Sequence, residues 1–173
     1  AMIPSGPPEE PMASVLPCRP PTDIQAAITV LGRLKRPDDE PIVPVDFTGA
    51  HLEGANLKNA SLPGAILIGA QFVAAKLEGA LLNRAIFVDS ISSGAVLDRA
   101  VLDDARLDGA NFKGAHLKEA RLHGASLVRV HLERAQLQGA RLVDANLERA
   151  HLEEAHLQGV KLNRAYLVGA HLY

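Results

Sequence analysis

From Phe47 to Leu172 every fifth residue is Leu or Phe, Ser92 being the one exception among 26 positions, and the register never slips. Two residues before each of these positions lies Ala in 22 cases; the others are Val45, Ser90, Val130 and Val160. Two residues after comes Gly at 12 of 25 positions. A period of five held for 126 residues excludes the ordinary elements. On an α-helix, five residues advance about 500°, a net 140°, so successive Leu residues would spiral over every side and bury no stripe. On a flat strand, odd spacing would send them to opposite faces.

A chain that turns about 90° every five residues satisfies the period. Four pentapeptides then close a coil of 20 residues, with every Leu and Ala directed inward and Gly at corners where φ > 0 is needed. Coils stacked at about 4.8 Å bond backbone to backbone, and residues 45–173 are enough for about six of them. Leu, Ile, Val and Ala must build the core, because aromatics make up only 3% of the chain and Trp is absent.

Gly54-Ala55-Asn56-Leu57 and Gly109-Ala110-Asn111-Phe112 carry the pattern in its fullest form. The chain resembles the pentapeptide-repeat family, whose motif is Ala, then Asp or Asn, then Leu or Phe, then two variable residues. The resemblance covers residues 45–173 and implies an all-β solenoid, a right-handed quadrilateral β-helix. Only Asp46, Asn56, Asn111 and Asn146 satisfy the family's preference before the Leu.

The first 44 residues differ in kind. Residues 1–21 are Pro-rich with few apolar side chains and read as a flexible tail, with Ala1-Met2 resembling a cloning scar. Thr22-Asp23-Ile24-Gln25 is a capping box, and Ile24, Ala27, Ile28 and Leu31 follow at helical spacing. We expect a short capping α-helix over 23–31 that lies on the first coil, and an extended link over 37–44. This arrangement also resembles the C-terminal part of larger bacterial pentapeptide-repeat proteins, some of them membrane-anchored. At the other end, an open coil would leave Leu172 and Tyr173 exposed, and either pairing with a second copy into a homodimer or a following part absent from this sequence is expected to cover it.

Function must lie on outward positions, and residues 20 apart share a column. An apolar belt of Ile66, Leu81, Ile86, Ile91, Val96 and Val101, extended by Ile68, Val73 and Val88, is the candidate contact surface. His131, His151 and His171 form a column whose imidazoles are candidate metal ligands, although a parallel ladder converges poorly and no carboxylate belongs to that column. Arg121, Arg141 and Lys161 form a basic column expected to splay toward acids such as Glu119, Asp144 or Glu148. The paired acids Asp103-Asp104 and Glu153-Glu154 are expected to be solvated. Ser90 and Ser92 put polar groups where Ala and Leu belong, so a local distortion over 88–94, with Ile91 turning partly inward, is expected.

Nothing in the sequence assembles a catalytic or cofactor-binding constellation. There is no phosphate loop, dinucleotide fingerprint or HExxH, and a Leu-packed rod holds no substrate cavity. The formal charge of −2 excludes the basic footprint of direct nucleic-acid binding. No apolar run reaches the ~18 residues of a membrane helix. The lone Cys18 demands no oxidising compartment, so a cytoplasmic location is expected. The expected function is a non-enzymatic protein–protein interaction scaffold or targeting module. The alternative that the resemblance implies is a DNA-mimicking protein that binds and protects type II topoisomerases. Such mimicry needs a densely anionic rod, whereas residues 45–173 carry 14 acidic and 14 basic residues.

Overall fold

The computed structural model describes residues 44–173, and the expected tail, capping helix and most of the link lie outside them. Each described pentapeptide makes one side of a coil. Parallel bridges join residues 20 apart without a break, from Asp46 to Ile66 through His151 to His171. The repeat therefore builds a four-sided parallel solenoid, as its period requires.

The local cause is a turn repeated every five residues. The amide of Ala55 donates to the carbonyl of Leu52 at 3.1 Å, and the amide of Ala110 to that of Leu107 at the same distance. The third residue of such a turn carries φ > 0. All 12 glycines at that position do so, and so do 13 other residues, with φ from +54° to +60°. Gly109 has a further reason to lack a side chain: a Cβ there would lie 2.5 Å from Asp89 Oδ1 of the coil below.

Between coils, Leu57 donates to the Lys76 carbonyl at 2.7 Å, and Lys76 in turn donates to Ala55 at 2.8 Å. These bonds satisfy the backbone around a narrow core. Inside it the Leu, Phe and Ala positions from Leu52 to Leu152 are buried. Beyond Leu152 the inward residues of the last coil, among them Leu157, Leu162 and Leu167, are only partly buried.

Ser90 and Ser92 are both buried, 1% exposed, yet the expected distortion does not occur. Ile91 keeps its bridges to Gln71 and Asn111 and points outward, 42% exposed. The Ser92 amide donates to Asn111 at 2.7 Å, and Asp89 and Gly94 hold the regular corner conformation. The reason is volume. Ser92 stands in the inward column between Phe72 and Phe112, and Phe87, on the preceding side of the same coil, packs against both rings at centroid distances of 5.8 Å. Three large rings thus lie around a position where a small Ser replaces Leu, and its hydroxyl lies 3.5 Å from that of Ser90.

Candidate functional site

The outward surface divides into the belt, the charged corners and the histidine column. In the belt, Leu81, Ile91, Ile68 and Val73 are exposed, while Ile66, Ile86, Val88, Val96 and Val101 are half-buried by their neighbours. Leu81 and Val101 share one face, Ile66 and Ile86 the next, and Ile91 and Val96 the remaining two. The belt is thus a girdle round the rod rather than a patch on one side. Three of its exposed members lie together, Ile91 on one face and Ile68 and Val73 at the two corners that flank it.

Six of the 13 non-glycine corner residues with φ > 0 form acid–base pairs between coils. Arg99 Nε lies 3.0 Å from Glu119, Arg134 Nε 2.8 Å from Glu154, and Arg164 grips Asp144 with two hydrogen bonds of 2.6 Å. Each pair joins successive coils across 20 residues. The hydrogen-bonded Arg164 guanidinium holds the Asp144 carboxyl below its ordinary range, and Arg134 does the same for Glu154. Such exposed pairs add little stability and are screened by salt.

This pairing corrects two expectations. Glu119 and Asp144 are engaged by Arg99 and Arg164, and Glu148 lies nearest Arg149, so none of them serves the basic column. Arg121 pairs instead with Asp103, which also accepts the His123 amide at 3.1 Å. Arg141 and Lys161 make no ion pair among the described residues. Asp103 and Glu154 are therefore partnered rather than merely solvated. The available signal was opposite charge at corner positions 20 apart.

The histidine column is more ordered than its spacing implied. His131 and His151 stack with ring centroids 4.6 Å apart and planes 4° from parallel, and His151 and His171 follow at 4.9 Å and 9°. No carboxylate belongs to the column itself, but two reach it from the adjoining corner. Two residues beyond each of two histidines stands a Glu whose Oε1 meets the ring Nδ1, at 3.2 Å for His131–Glu133 and 3.4 Å for His151–Glu153. Glu153 Oε1 also lies 4.0 Å from His171 Nδ1. Burial pushes Glu133 upward, but hydrogen bonds from its own backbone amide and from His131 outweigh this, and its carboxyl sits below the usual value. The repeated His-Leu-Glu triplet was the overlooked signal.

Leu172 and Tyr173, in the last described coil, are exposed, 48% and 104% respectively. Among the described residues no helix is long and apolar enough to cross a membrane.

Residues 46–84, 75–114, 95–134, 115–153 and 135–172 match the family described as pentapeptide repeats, in eight copies. No curated protein matches the chain. Among solved structures, a pentapeptide repeat protein from the Arabidopsis thaliana thylakoid lumen is 28% identical, with a TM-score of 0.41. The match covers 49% of this chain and 56% of that one, so the chain spans little more than half the length of that relative. HetL, a pentapeptide repeat protein of the cyanobacterium Nostoc involved in heterocyst differentiation regulation, is 30% identical over 75% of this chain and 73% of its own, with a TM-score of 0.34. QnrB1, a plasmid-mediated fluoroquinolone resistance protein, is 14% identical over 75% of this chain and 83% of its own, with a TM-score of 0.40.

Proposed function

Because the chain belongs to the pentapeptide repeat family, whose coil leaves only outward side chains free to act, we propose that it is a non-enzymatic scaffold that presents its surface to a protein partner. The observation that carries this reading is the girdle, where Leu81, Ile91, Ile68 and Val73 stand exposed on a backbone tied coil to coil. Contiguous exposed apolar area, as at Ile68, Val73 and Ile91, usually marks a contact. The core is filled by Leu, Phe and Ala, which leaves the inside of the rod nothing to bind.

Replacing Ile86 and Ile91 together by Lys should abolish capture of the partner in pull-downs while leaving the far-ultraviolet circular dichroism and melting curve unchanged, since both side chains point outward. Unchanged capture and an unchanged elution profile would sink the reading. Light scattering on the same samples, with Leu172→Arg alongside, reads end-to-end pairing, which predicts that the mass falls by half.

Topoisomerase binding by DNA mimicry is the weaker reading. It calls for free carboxylates, and here Glu119, Asp144, Glu154 and Asp103 are bound to arginines. We therefore expect gyrase supercoiling to be unaffected by the protein, with or without a quinolone; inhibition or protection would reverse the order of the two readings.

A further inference from the structure

We propose that His131, Glu133 and His151 form a binding site for a divalent transition-metal ion of the zinc, nickel or copper class. One ligand atom from each of the three lies within 4.8 Å of the other two. The His131 Nδ1–Glu133 Oε1 distance is already 3.2 Å. Adjacent ligands held about 2.1 Å from a metal stand roughly 3–3.5 Å apart, so one pair is in place and the third must close by about 1.5 Å.

The parallel stack sets the motion required. A ring nitrogen directs its lone pair in the ring plane, and one ion cannot lie in two parallel planes. The His131 and His151 rings must therefore tilt toward each other about their Cβ–Cγ bonds. That torsion is soft, and the two side chains are 44% and 33% exposed, so packing does not lock them.

The carboxylate of Glu133 adds to this geometry. Its Oε1 faces His131, and its Oε2 is buried with no hydrogen-bond partner among the described residues, as are the Oε2 atoms of Glu78 and Glu153. An acceptor shut away from water in this manner is costly, and a cation beside it removes the cost. Two imidazoles and one carboxylate select a borderline ion over calcium or magnesium, which take oxygen ligands. The exposed side of the column leaves room for water to complete the coordination sphere.

The test is isothermal titration of the untagged full chain, stripped with a chelator, with zinc chloride in a non-coordinating buffer. One saturable site is expected, with no competition from magnesium or calcium. His131→Ala and His151→Ala should each weaken binding by roughly tenfold or more. Glu133→Gln keeps shape and packing and should also weaken it, whereas His116→Ala, on the neighbouring face, should leave it unchanged. Melting in chelator separates folding from binding, and the outward position of all three groups predicts no change there. Absence of saturation would overturn the proposal. So would undiminished binding in His131→Ala, which would place the ion on His151, Glu153 and His171 instead.

Discussion

Phe87→Ala should destabilise the solenoid by about 3–5 kcal/mol, the range for emptying a buried aromatic site. Phe87 is fully buried and touches the rings of both Phe72 and Phe112, so its removal leaves two neighbours facing a void beside the short Ser92. The sharper expectation concerns the pair. Ser92→Leu alone forces a Leu in among the three rings and should cost about 1–3 kcal/mol by overpacking. Ser92→Leu with Phe87→Leu restores the ordinary inward column and should recover most of what either change loses. Urea melts of the parent, Ser92→Leu, Phe87→Leu and the double change give the coupling energy. Additive effects, or a Ser92→Leu chain as stable as the parent with Phe87 intact, would show that Phe87 does not fill the Ser92 space.

The second large effect is in hydrogen exchange along the rod. A central amide such as Leu97 donates across coils at 2.7 Å and is buried above and below. In the last coil, the amides of Leu157, Leu162 and Leu167 meet no backbone acceptor among the described residues, and their side chains are only partly buried. In a stack whose stability comes from neighbouring coils, an end with one neighbour opens most readily. Exchange at these three amides should exceed that at Leu97, Leu102 and Leu117 by about three orders of magnitude or more, the spread between a fraying segment and global unfolding. Equal protection in dilute, monomeric protein would refute the weaker hold on this last described coil. Protection that grows with protein concentration would instead show a second copy closing it.

The architecture was legible because it is local. One turn every five residues, with Leu and Ala inside and a φ > 0 corner, specifies a coil of 20 residues, and the coil then aligns residues 20 apart. The inward set, the outward columns and the girdle follow from that count, and the bridges from Asp46 to His171 have the expected register. The same logic misjudged Ser90 and Ser92, because a polar residue in a core position predicts a defect only if nothing else fills the space.

What the repeat could not specify is set by volume and reach. Phe87 and Ser92 set a large ring and a small side chain within one coil, and counting by five treats every inward position alike. Arg99, Arg134 and Arg164 reach acids one coil away, which leaves Arg121 to Asp103 and not to the residues its column faced in sequence. Glu133 and Glu153 fold back onto histidines two residues earlier because the turn between them brings carboxylate and ring to one edge. The sequence alone determined the period, the coil and the sorting of residues into core and surface, since each pentapeptide imposes these on itself. Which side chains meet was decided only by the stacked structure, since those meetings depend on side-chain length and on the filling of a shared core.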